Sequence, residues 1–276
     1  MTVPDRGFTP SWAFDGASGS GIVVAVVDSG IDGAHPAVAS PIGGAALHWD
    51  RDDQRVVTVP GPHEDLYGHG TACAGIIRWA APDCSLLSVR VLGERLTGKG
   101  MVFAEGLRYA IAAGARVVNL SLSSGKADFY GLFHEVADEA YFAGTTLVCA
   151  VNNVPAPSYP SQYASVVSVA CNDATDPFAL DCNPHPPAEF GAPGIDLEVP
   201  WLGGGSIVAT GNSFAAPHVT GLVARLLSKH PYLSPNEVKT VLRAVSRNAR
   251  ASAPPPAVTS AVPPGVTQVT GRMSDK

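Results

Sequence analysis

The sequence predicts an α/β domain, a mostly parallel central sheet with helices on both faces. Short β-branched runs such as residues 22–27 (IVVAVV) are apolar throughout, as strands covered on both faces must be. They alternate with longer stretches of helical periodicity, the order that places a crossover helix between parallel strands. The chain has 276 residues, 46% of them hydrophobic, enough for one large core.

Residues 1–20, rich in Gly, Pro and Ser, read as a surface arm. The run 22–27 closes on Asp28-Ser29-Gly30, ordinary turn chemistry. Residues 71–79 (TACAGIIRW) read as a helix and 85–92 (SLLSVRVL) as the next strand. A helical pattern over 101–113 stops at Gly114 before a strand over 116–122, and another over 132–142 stops at Gly144 before a strand over 146–151. A short strand over 166–170 follows. Residues 172–205, dense in Pro, Gly and Asp, read as loops, with a strand near 207–210. Two helices, 214–229 and 234–248, complete the domain; Ser234, Pro235 and Glu237 form the cap, first position and capping box of the second. Residues 1–250 thus form one domain, and 251–276, rich in Pro and Ala, an extended or disordered tail.

The net charge is −6, and the Lys and Arg residues form no block, so neither nucleic acid nor an anionic membrane is expected as a partner. The longest apolar runs are far short of a membrane span. Five cysteines without CxxC spacing indicate neither a zinc site nor a dense disulfide frame. Residues 93–100 (GERLTGKG) fall short of a phosphate-binding loop, because Gly100 stands where a magnesium-binding hydroxyl is required. His63, Glu64, Asp65 and His69 lack the spacing of a zinc-protease helix.

Three residues stand at strand-to-helix junctions. Asp28 ends the first strand, His69 lies between two glycines ahead of a helix, and Ser213 precedes another. Each has an ordinary reading, as a turn residue, a loop histidine or a helix cap. Their chain order, Asp–His–Ser, is one of the orders in which a nucleophile, its base and an orienting acid are arranged. The segments VAVVDSGIDGAHP, HGTACAGII and GNSFAAPHVTG resemble the subtilisin-like serine proteases, the subtilases. LLSVRVL, VVNLSL and SYPSQYASVVSVA carry the likeness across roughly residues 10–245.

The resemblance implies a subtilisin-like three-layer fold and a serine endopeptidase acting through an acyl-enzyme. Asp28 orients His69, His69 is the general base and acid, Ser213 is the nucleophile, and Asn153 supplies an oxyanion donor. A peptide or protein substrate is expected to lie extended along Ser121, Leu122 and Ser123, with its P1 side chain against Ala150, Val151 and Asn152 and near Ser158. No cofactor and no metal are implied; the calcium loop that often interrupts the helix after the His motif has no counterpart in residues 76–87.

The chain departs from the family pattern at Asn212, usually Thr, where an amide in place of a hydroxyl could still assist the oxyanion hole. It departs also at Asn152 and Ser123, both usually Gly. These changes suggest a selective processing protease, and peptide natural-product precursors are one substrate class that the family offers. Cys73 reads as a buried residue of the helix after His69, at the place where thiol-bearing family members carry cysteine. MTVPDRGFTP has no apolar signal core and no prodomain precedes the motifs, so a cytoplasmic location is expected, or a secreted one if signal and prodomain have been removed. A peptide ligase or macrocyclase using the same acyl-enzyme, and a silent peptide-binding module, remain alternatives.

Overall fold

The computed structural model describes residues 7–61, 63–183 and 187–249; the tail expected over 251–276 lies outside them. Its frame is a nine-stranded sheet built from β1 (Val23–Asp28), β2 (Gly43–Asp50), β3 (Arg55–Pro60), β4 (Ser85–Arg90), β5 (Val117–Leu120), β6 (Thr146–Ala150), β7 (Val167–Asn172), β8 (Asp181–Cys182) and β9 (Phe190–Pro193). The strands run in the order β3-β2-β4-β1-β5-β6-β7-β9-β8, parallel except at the two edges. A separate antiparallel hairpin pairs β10 (Leu197–Trp201) with β11 (Gly205–Ala209).

Strand alternation divides the core into two layers. On β1, Val24 and Val26 pack with α2 (His69–Ala80), α5 (Asn212–Lys229) and α6 (Pro235–Val245), while Ala25 and Val27 pack with α3 (Gly100–Ala112) and α4 (Tyr130–Phe142). Helices therefore cover both faces, as the apolar runs require. β1 pairs with β4 on one side and β5 on the other, so the chain reverses its winding direction at β1. In such sheets the crevice beyond the carboxyl end of the switch strand is where reactive groups collect. Among the described residues no helix is long and apolar enough to cross a membrane.

Two expectations are corrected. The arm over 1–20 contains a short helix, α1 (Pro10–Phe14), capped by Thr9, whose hydroxyl accepts from the Trp12 N–H. Ala13 is fully buried and Trp12 stacks on His230 at 3.9 Å, because Phe8, Trp12 and Phe14 give the segment an apolar face to cover α5 and α6. Within 172–205 lie β8, β9 and β10; two to five residues long and separated by Pro and Gly, they are too short for periodicity to reveal. The Ser234–Glu237 capping box forms as expected. All five cysteines are free thiols.

Candidate active site

Asp28 is the last residue of β1, at the carboxyl end of the switch strand, and is wholly buried. Its Oδ1 accepts from the Ser29 N–H at 2.8 Å, and both its oxygens lie 2.9 Å from Nδ1 of His69, the first residue of α2. With Nδ1 donating, the neutral imidazole presents Nε2 as a lone-pair base. Burial works to lower the His69 pKa, but the Asp28 carboxylate, by charge and hydrogen bond, and then the Asp65 carboxylate outweigh it, so the pKa is raised.

This contact requires two turns to approach closely. A Cβ at Gly30, which has φ +111°, would lie 2.4 Å from the Glu64 carbonyl oxygen, and one at Gly70 would lie 2.0 Å from the Gly30 carbonyl oxygen. Only glycine fits at either place.

Ser213 is the second residue of α5, and Gly211 is the N-cap, so the serine does not cap the helix. The Ser213 N–H belongs to the first turn, where helix N–H groups have no helical partner. The His69 ring stands 5.4 Å from that of Phe214, which brings the imidazole to the helix start. No hydrogen bond joins His69 to Ser213 in this structure; such contacts are commonly long without substrate.

Four residues on, Pro217 sits inside the helix and has no N–H to give the Ser213 carbonyl. The vacancy is filled from just beyond β5 and from α2: the Ser121 hydroxyl donates to that carbonyl at 2.7 Å and the Cys73 thiol approaches it at 3.6 Å. Ser121 in turn accepts from the side chain of Asn119, whose Oδ1 accepts from Thr220 on α5. The Cys73 sulfur lies within 4.8 Å of the facing atoms of Asp28 and His69; complete burial, and then the Asp28 charge, push its pKa well up, so it stays a protonated thiol.

Asn153 follows β6 and is exposed. Its Oδ1 accepts from the Asn212 N–H at 2.9 Å, which turns Nδ2 outward. A Cβ at Gly211 would lie 3.4 Å from Ser213 Oγ and 3.6 Å from both Asn153 side-chain termini, so hydroxyl and amide border one small space. An anion there would meet the Asn153 amide and the Ser213 N–H at the positive end of a helix.

Asn212 departs from expectation. Its Nδ2 donates to the Val151 and Asn152 carbonyls, and its Oδ1 accepts from the Cys171 N–H at 2.8 Å. The amide is consumed in clasping the ends of β6 and β7 and is not free to donate into the space beside Ser213.

The expected substrate residues fall into two groups. Leu122 and Ser123 lie beyond the end of β5, and with Ser124 they line a cleft of about 610 Å³ shared with Gly98, Lys99 and Gly100. Val151, Asn152 and Ser158 line a second hollow of about 560 Å³, with Val154, Ser161 and Gln162. Ala150 does not reach its wall, being buried in the sheet. Ser158 is also buried, its hydroxyl accepting from that of Ser161 beneath the hollow. Sequence reasoning did not assign Asp65 or Pro217 a role here. The visible signals were a carboxylate four residues before His69 and a helix breaker four residues after Ser213.

A model of the subtilase family matches residues 19–261. The chain is 33% identical to thermitase from Thermoactinomyces vulgaris over 229 residues, which are 79% of this chain and 78% of that one. It is 29% identical over 252 residues to subtilisin E from Bacillus subtilis (strain 168), spanning 86% of this chain and 63% of the relative. A solved structure, that of a cold adapted subtilisin-like serine proteinase, superimposes with a TM-score of 0.68 at 23% identity, covering 82% of each chain.

Proposed function

The chain belongs to the subtilase family and is a subtilisin-like serine protease, and from that premise we propose that Asp28, His69 and Ser213 are its catalytic triad. The observation that carries this reading is the buried Asp28–His69 contact at 2.9 Å, set beside the first turn of the helix that bears Ser213. Peptides and proteins are the substrates that family membership implies.

His69 Nε2 takes the proton of Ser213 Oγ as the oxygen adds to the scissile carbonyl. The negative charge that develops on the carbonyl oxygen is met by the Ser213 N–H and by Asn153 Nδ2, whose amide is held beforehand by the bond from the Asn212 N–H to its Oδ1. Asp28 holds the imidazolium in place, and His69 then returns the proton to the leaving amine. Water, activated by the same histidine, cleaves the acyl-enzyme to regenerate Ser213.

An extended substrate reaches this centre along Leu122 and Ser123, whose segment is fixed by paired backbone bonds between Ser124 and Tyr159. Its P1 side chain enters the hollow at Val151 and Asn152, whose described lining residues carry no ionisable group. Neutral P1 residues are therefore preferred and charged ones excluded, since an unpaired charge there is costly to desolvate. This is the basis for reading the enzyme as selective.

Intact mass after exposure to a fluorophosphonate tests the triad. The parent chain gains one adduct and Ser213→Ala gains none; a folded parent that stays unlabelled refutes the assignment.

A further inference from the structure

We propose that Asp65 is a positioning residue for the proposed general base, a second buried carboxylate that holds the turns carrying Asp28 and His69 in register. The inference rests on the triad reading above and extends it to a residue outside the triad.

Asp65 is 6% exposed, and five donors converge on it. Its Oδ1 accepts from the Ser29 hydroxyl at 2.7 Å, the Tyr67 N–H at 2.9 Å and the Gly68 N–H at 2.8 Å. Its Oδ2 accepts from the N–H and hydroxyl of Thr71 at 2.8 and 2.7 Å. Among the described residues no cation pairs with it, so hydrogen bonds alone sustain this buried charge. Every partner is a donor. An amide of the same shape would turn an NH2 group toward one of them, so the site is built for a carboxylate.

The partners explain what the charge is for. Ser29 is the residue whose N–H holds Asp28 Oδ1, and its hydroxyl also accepts from the Gly70 N–H. Thr71 accepts from the Asp32 N–H through the same hydroxyl that donates to Asp65. Asp65 therefore fixes Gly68 and Thr71 directly and Gly70 through Ser29, on both sides of His69. It also binds the Ser29 side chain of the opposing turn. The orientation of the imidazole against Asp28 depends on this one side chain.

The charge acts as well as the geometry. Asp28 and Asp65 are the carboxylates that raise the His69 pKa, and the neighbouring Cys73 remains a neutral thiol. Around Asp65 itself stand His63 and Glu64 on its own turn, Asp32 across Thr71, and Arg90 of β4, whose guanidinium donates to the Glu64 carbonyl at 3.0 Å. Removing the Asp65 charge lowers the His69 pKa, and the acid limb of activity moves to lower pH.

The test is steady-state kinetics across pH on the parent chain, Asp65→Asn and Ser29→Ala, with peptide substrate and with folding checked by circular dichroism. Asp65→Asn is expected to lose up to about 100-fold in kcat, the scale of a misplaced catalytic group, with KM little changed and the acid limb shifted down. Ser29→Ala, which keeps the charge, should lower kcat without moving that limb. A purely structural role lowers melting temperature but leaves the limb in place. A folded Asp65→Asn with parental kcat and parental acid limb overturns the proposal. Should that variant not fold, parental kcat in Ser29→Ala overturns it. A parent chain that takes no fluorophosphonate overturns the triad reading itself, whereas a labelled parent with an unaffected Asp65→Asn sinks only the role of Asp65.

Discussion

Two neighbouring asparagine positions near Ser213 do opposite work. The Asn153 amide is anchored by its oxygen and leaves its NH2 facing the space beside Ser213 Oγ; the Asn212 amide is spent on three backbone groups, two just beyond β6 and one in β7. On its proposed role, truncating Asn153 to alanine should cost about 100- to 1000-fold in kcat with KM near the parental value, since an oxyanion donor acts on charge that exists only in the transition state. Steady-state kinetics decide it: a loss confined to KM would mean that Asn153 binds substrate and does not stabilise the oxyanion. The position of Asn153 just after an apolar strand was legible in the sequence. The direction in which Asn212 points was not, because it depends on carbonyls some 60 residues away in sequence. Asp65 was missed for a related reason, since its five donors come from two turns that meet only in three dimensions.

At the scale of the element, α5 shows how a helix breaker is accommodated inside a helix. Pro217 deprives the Ser213 carbonyl of its bond, and Ser121, from the end of β5, supplies one in its place. Ser121→Ala should then destabilise the fold by about 1–3 kcal/mol by leaving a buried carbonyl poorly satisfied. Adding Pro217→Ala returns an N–H four residues after Ser213, so the double variant should be more stable than Ser121→Ala alone. Denaturant unfolding of the four proteins of the cycle measures the coupling, and strict additivity would show that the two groups do not serve the same carbonyl. The helix itself was legible from its apolar pattern, but its start lies at Asn212 rather than at residue 214. The first turn is specified by contacts to Asn153 and the end of β7, and periodicity does not report these. The three strands inside 172–205 were hidden for a different reason, being too short for periodicity to report.

For the whole molecule, the layered sheet was legible because each strand must be apolar on both faces, while its antiparallel edges β3 and β8 were not, because an edge strand has little burial to record. Burial at this scale also sets the response to acid. His218, on α5 in the layer between that helix and α2, is 5% exposed and stands edge-on to Trp79 at 6.3 Å. Desolvation, opposed weakly by the Pro177 backbone, lowers its pKa from 6.5 to about 4. The folded state thus holds the imidazole neutral at pH values where the unfolded chain protonates it, so the unfolded state gains protons first. Stability falls as pH drops from 6.5 toward 4, by about 3 kcal/mol from this residue alone, and is flat with respect to it below that window. His69 works in the opposite sense: its raised pKa adds stability at pH values below 6.5 that is lost as pH rises through its folded value. The two contributions separate by mutation. Over the range from pH 4 to above 6.5, His218→Leu should flatten the dependence of unfolding free energy on pH below 6.5, whereas His69→Ala should leave that part unchanged and remove the decline above 6.5. Denaturant midpoints for parent and variants across that range are the measurement. Parallel curves for parent and His218→Leu would mean that water reaches the His218 ring and that the layer between α5 and α2 is not sealed there.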